Sequence, residues 1–224
     1  MLAWHFLRED RKLRWGTEEV VFAGQELYVK PPLLMCHRGL HASRRITDAI
    51  RYAPGPVLCR VRMGGTIQTA IDKVCASERT CIWIADASRQ LHEFACWCAE
   101  LALQTVRDAQ MDTAKASWDA IRAKMDWLEG VITDKMLADS REAAWHAWQV
   151  TAGDAENNLY SSSYTARASA HACACNAALL VAWHAARSAI PGAAAASFEF
   201  ASDFDVNARE AKLLEMMSTL GDVV

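Results

Sequence analysis

The chain of 224 residues is 52% apolar and 23% charged, with nine tryptophans and 24 Lys+Arg against 27 Asp+Glu. That length and apolar content suffice for a buried core and exclude a disordered tail. A formal charge of −3 gives no overall pull toward nucleic acid or an anionic membrane, and no run approaches the roughly 20 consecutive apolar residues of a membrane helix.

The apolar run Trp4 to Leu7 comes before the mixed charges Arg8 to Lys12, the reverse of the order in a secretory signal, so the expected compartment is the cytoplasm. Trp4–Leu7 and Leu13–Trp15 around those charges predict a hairpin. Leu27–Val29 and Leu33–Cys36 flank Pro31-Pro32, which lack backbone donors and mark a bend or an edge strand. Ser43 is placed to cap a helix through Ile46, Ala49 and Ile50 to Tyr52, ended by Pro54-Gly55-Pro56. Val57 to Met63 alternates apolar and basic side chains toward its end, the period of a strand with one wet face. Gly64-Gly65 then predicts a turn, with Thr66–Gln68 pairing back and a further strand over Thr80, Ile82 and Ile84.

From Asp86 onward the period becomes helical. Leu91, Phe94, Cys98, Leu101 and Thr105 form one stripe, and Trp118, Ile121, Met125 and Leu128 a second before Gly130. Ile132, Met136, Ala143, Ala147 and Val150 form a third, ending near Gly153. Residues 154–190 are alanine-rich and stop at Pro191-Gly192. Asn207 with Glu210 resembles a capping box opening a last helix through Leu213, Met217 and Leu220. No trustworthy repeat period is present.

Composition divides the same way. Residues 1–94 carry 14 basic and 10 acidic groups, four of the five prolines and nine alanines; the remainder carries 10 basic and 17 acidic groups and 32 alanines. The expected fold is α+β: a small mixed domain over 1–85 followed by an alanine-rich helical bundle over 86–224. Eight cysteines occur with no Cys-x-x-Cys knuckle, and both Cys-x-Cys pairs fall in helical segments, where thiols two residues apart diverge. They read as small apolar filler in a reducing compartment, with no metal site.

Cys36-His37-Arg38-Gly39-Leu40-His41-Ala42-Ser43, then Asp48-Ala49-Ile50-Arg51-Tyr52-Ala53, a Val-rich strand, and Asp72-Lys73-Val74-Cys75-Ala76-Ser77-Glu78-Arg79 resemble an uncharacterised bacteriophage domain family with a Cys-x-x-Gly-Leu/Phe-His core. The resemblance covers roughly residues 3–85. The alanine-rich region after it resembles, mostly by composition, the helical domains attributed to immunity proteins. The resemblance implies a phage or prophage origin and an accessory role, and no activity comes with it. A fainter resemblance is to ADP-ribosyltransferase-like folds that surround NAD. It would put His5 on the first strand, His41 or Ser43 in the middle position and Glu78 late, with a departure from the usual tyrosine in the middle.

The expected function is therefore binding without catalysis or cofactor, of a host or anti-phage defence protein or a small ligand. The binding candidates are Arg38, His41, Ser43, Arg44, Arg45, Asp72 and Lys73. The alternatives are an NAD-using transferase built on His5, His41 and Glu78, and a self-assembling component whose small-residue bundle is the oligomer interface. The positive side of the first module is expected to dock on the acidic module, of this copy or another, rather than on nucleic acid, since the balance is far from that of nucleic-acid binders.

Overall fold

Val57 to Thr69 and Val74 to Asp86 form the two longest strands, joined by a turn in which the Ala70 N–H donates to the Lys73 carbonyl at 2.8 Å. In the computed structural model residues 1–13, 18–108, 115–159 and 206–221 are described. In chain order the elements are β1 (Leu2–Leu7), β2 (Glu26–Tyr28), β3 (Leu40–Ala42), α1 (Ile46–Ile50), β4 (Val57–Thr69), β5 (Val74–Asp86), α2 (Ser88–Asp108), α3 (Lys115–Leu128), α4 (Asp134–Leu159) and α5 (Val206–Met217), with a 3-10 turn over Ser218–Leu220. The fold is α+β, with one five-stranded antiparallel sheet.

Contacts divide the chain into two units: Met1–Leu91 with Val206–Val224, and His92–Asp205. The expected boundary at 85/86 set all of 86–224 apart as helical, whereas the last helix joins the first unit, because it packs on α1.

In the first unit β4 lies between β1 and β5, and β2 and β3 share the far edge of β5. The sheet then closes on itself. Trp4 of β1 exchanges two backbone hydrogen bonds with Ser43, just after β3, at 2.7 and 2.9 Å. Alternation along the strands fills the interior with Ala3, Leu7, Ala42, Val57, Cys59, Val61, Met63, Val74, Ala76 and Cys81. Trp4 and Phe6 point the other way on β1, the strand against which α1 packs, and are buried there. Each such aliphatic or aromatic side chain contributes about 1.5–3 kcal/mol on burial.

Three expectations change here. The partner of β1 is β4, Leu2–Leu7 against Val57–Arg62, not the segment at Leu13; residues 14–17 of that expected hairpin lie outside the described residues. Gly64-Gly65 does not turn the chain. Both lie inside β4 at a register shift, where Gly65 has φ +66°, so the pair bends a continuous strand. Leu33–Cys36 forms no strand; Leu34 bridges to Arg38 and closes a tight loop.

In the second unit α3 and α4 pack as a helical hairpin around Gly130, which has φ +71°. Ala120, Leu137 and Ala144 form its core, with Ala123, Trp127 and Ile132 against it. The buried face of α3 is Ser117, Ala120, Ile121 and Lys124, and on α4 Leu137 and Ala144 are inside while Met136 and Ala143 are exposed. Ile121 lies on the buried face as expected, while the rest of both faces sits one residue away from the expected stripes. The small residues Ser117, Ala120 and Ala144 let the two helices approach closely, and that approach rather than the spacing of the larger groups decides the phase. α4 also runs through Gly153 to Leu159. The expected helix over 160–190, its stop at Pro191, the polar Ser161–Ser163 and the second Cys-x-Cys pair lie outside the described residues. Among the described residues no helix is long and apolar enough to cross a membrane.

Candidate functional site

The Cys36–His41 segment is a loop built on its own histidine. Leu34 and Arg38 exchange backbone hydrogen bonds at 2.9 and 2.7 Å, leaving Cys36, His37 and Arg38 exposed at the tip. Cys36 has φ +67°, a left-handed conformation uncommon outside glycine. Its N–H donates to His41 Nε2 at 3.0 Å, which holds the conformation in place. A ring nitrogen that accepts carries no proton, so the proton of His41 is on Nδ1. The ring also hydrogen-bonds the backbone of Gly39. Burial, followed by the charges of Arg79 and Lys73, keeps the His41 pKa below its ordinary value despite the opposing Gly39 bond. Gly39 itself (φ +139°) stands where a Cβ would lie 2.2 Å from Cys75 Sγ, so only glycine fits under this loop.

Beside the loop is a second group from the end of α1 and the β4–β5 turn. Lys73 Nζ donates to Cys36 Sγ at 3.7 Å and lies 4.2 Å from the centre of the Tyr52 ring. The Tyr52 hydroxyl donates to the Asp72 carboxylate. That bond, with Lys73 and Arg51 nearby, keeps Asp72 below the usual carboxylate range, and the Tyr52 hydroxyl, followed by the charges of Asp72 and Cys36, holds the Lys73 ammonium above its ordinary pKa. Lys73 thus reaches the loop at Cys36, and Asp72 is linked to it through Tyr52. Cys36 and Tyr52 both belonged to the motif without being chosen as candidates. Their participation depends on a turn that brings residue 73 back to residue 36.

The remaining candidates do other work. Ser43 does not cap α1. Its backbone is committed to Trp4, and α1 begins at Ile46 with Arg45 as an N-cap that makes no side-chain cap bond. The cap comes from α5: the Glu210 carboxylate accepts from Ile46 N–H at 3.0 Å, from Thr47 N–H at 3.1 Å and from the Thr47 hydroxyl. Arg45 is drawn into the same contact, 3.7 Å from Glu210 and 3.4 Å from Asn207 Oδ1. Glu210 therefore serves a helix 164 residues away rather than its own, and Asn207 lies inside α5, not before it. Arg44 is exposed, and Arg38 is exposed beside Cys36.

His5 and Glu78 face different ways. His5 stands opposite Cys59 across β1 and β4, and burial, then the charges of Arg79 and His41, lowers its pKa strongly. Arg79 is buried beneath it and donates to the His41 carbonyl at 2.8 Å. Glu78 is the next residue along β5, so it projects to the opposite face, exposed and against Gly64 and Gly65. His5 and His41 are neighbours through Arg79; Glu78 is not part of that group. No metal-binding group of three or more His, Cys, Asp or Glu occurs among the described residues.

Comparison with known proteins finds no matching family model, curated protein or solved structure.

Taken as chemistry, the loop and its neighbours offer an exposed thiol, an exposed cation (Arg38), a half-buried one (Lys73) and a phenol–carboxylate pair. The His41 imidazole is spent on holding the loop, and that of His37 is exposed at the tip.

Proposed function

We propose that this protein acts by binding rather than catalysis, presenting the Cys36–Arg38 loop tip with Lys73 to an anionic surface of a protein or small ligand. The observation that carries the reading is the state of His41. Its Nε2 is occupied by the Cys36 N–H and its ring is tied to Gly39, so the His41 imidazole is unavailable as a proton acceptor for a substrate, while the loop's other imidazole, His37, stands at the exposed tip beside Arg38 as part of the binding surface. A loop over-determined in this way holds exposed charges at a fixed spacing, which lowers the entropy lost on binding. The phage-associated origin implied by the motif belongs to this reading, and it makes a host or anti-phage defence protein with an acidic face the expected macromolecular partner.

The test is affinity capture from a bacterial lysate with the wild-type chain and with Arg38→Glu/Lys73→Glu. Both positions are exposed or half-exposed, so the fold should be retained. The expected result is a partner that the wild type retains and the double variant loses, with affinity down by at least about tenfold and a clear fall as salt is raised. An equal yield from both proteins would sink the reading. So would transfer of label from NAD to lysate proteins that disappears in Glu78→Gln, which would favour the transferase.

A further inference from the structure

Inside the closed sheet, two thiols share a polar centre that binding at the loop does not use. Cys59 of β4 pairs with Ile84, and Cys81 of β5 pairs with Val61. The register shifts between the Arg60–Trp83 and Val61–Cys81 pairs, so Ile82 is an extra residue on β5. That bulge turns Cys81 inward in place of Ile82, which is 40% exposed, and sets it diagonally beside Cys59 on the same face. The two thiols lie close enough to perturb each other's ionisation, and Cys81 Sγ donates to the Trp83 carbonyl at 3.5 Å.

Next to them is Arg79, buried, hydrogen-bonded to the neutral His41 carbonyl and with no carboxylate within ion-pair distance among the described residues. His5, opposite Cys59, has a buried Nε2 with no hydrogen-bond partner there. A buried guanidinium without an acidic partner favours an anion beside it, and the nearest group able to become one is a thiol. The directions agree: Cys59 and Arg79 lower the Cys81 thiol against the effect of burial, while Cys59 is raised by Cys81 and by burial.

We propose that Cys59 and Cys81 are a redox-active dithiol that closes to a disulfide by exchange with a low-molecular-weight disulfide such as oxidised glutathione. The Cys81 thiolate attacks one sulfur of the reagent, forming a mixed disulfide and releasing one glutathione thiolate. Cys59 then attacks Cys81 Sγ, displacing the second. Two protein thiols are oxidised, one glutathione disulfide is reduced to two thiols, and the protons of Cys59 and Cys81 end on those thiols. Because both sulfurs are buried, entry of the reagent requires a local opening of the sheet.

The experiment is to incubate the folded chain with oxidised glutathione, quench with acid, alkylate in denaturant and map the cysteine peptides. The expected result is a peptide linking Cys59 to Cys81 and the loss of two alkylatable thiols, reversed by dithiothreitol. Cys59→Ser is expected to stop at a glutathione adduct on Cys81. Recovery of both Cys59 and Cys81 as alkylated free thiols, or linkage of either to a different cysteine, would overturn the proposal. The wild-type map decides by itself, so the conclusion does not depend on the variant folding.

Discussion

His41 holds its loop through a nitrogen that must stay unprotonated, and this has a cost in acid. Its pKa is lowered by burial, and that of His5 is lowered further by burial and by Arg79. The unfolded chain takes up protons at both histidines near about pH 6.5 while the folded chain does not, so stability is complete above that pH and declines as pH falls. We expect a lower urea midpoint at about pH 5 than at about pH 8, with a shallower pH dependence in His5→Leu. An unchanged slope in that variant would mean His5 titrates normally.

Lys124 in α3 is a separate case. Its side chain is buried, its ammonium lies 4.0 Å from the centre of the Trp127 ring, and burial lowers its pKa to about 8. Folding at neutral pH therefore keeps a charge in a place that disfavours it. Wild-type stability should therefore rise between about pH 8 and 10.5, where the folded chain sheds a proton that the unfolded chain keeps, and Lys124→Met should abolish that rise. Denaturant titration of both proteins across that range reads this directly.

At the scale of elements, two joints carry more than their size suggests. Gly65 bends β4 at φ +66°, and a Cβ there would lie 2.1 Å from Ser77 Oγ, the group that accepts from Thr66 N–H at 2.9 Å. Gly65→Ala should cost about 1–3 kcal/mol. Adding Ser77→Ala relieves the clash but also removes the acceptor of the Thr66 N–H, so thermal unfolding of the wild type, both single variants and the double variant separates the clash from the backbone strain. Glu210 caps α1 from outside it. Glu210→Ala leaves the Ile46 and Thr47 N–H groups without that acceptor and should cost about 1–2 kcal/mol. Glu210→Gln, which keeps an acceptor oxygen, should cost less.

For the whole molecule, the chain leaves its first unit at Leu91 and returns to it at Val206. The first unit is thus completed by sequence that arrives last. Arg209, Leu213 and Met217 of α5 are buried at helical spacing, and Glu210 secures the joint to α1. A chain truncated after Asp205 should lose amide protection at Ile46 and Thr47 in hydrogen exchange, and its unfolding temperature should fall by several degrees, roughly 4 °C per kcal/mol lost. Unchanged protection would mean α1 needs no partner.

The α+β class, the β1 and β4 strands and the start of a helix just after Asp86, whose carboxylate accepts from Ser88 N–H at 2.8 Å, were legible because alternation and period act over a few residues. His41, Asp72 and Lys73 were legible as candidates from their motif and charge. The partners that complete the site were not, since Cys36 meets Lys73 and Tyr52 meets Asp72 only after a hairpin returns the chain. Glu78 and Arg79 are adjacent in sequence, yet their opposite faces become known only with the register of β5. The phase of α3 and α4 was set by the close approach of small residues such as Ala120 and Ala144, which the spacing of larger groups does not reveal, and the cap of α1 lay 164 residues away. Local chemistry sets what each segment tends to be. Which faces meet, and which polar groups find partners when water is removed, is settled by long-range packing, and there only the tertiary structure decided.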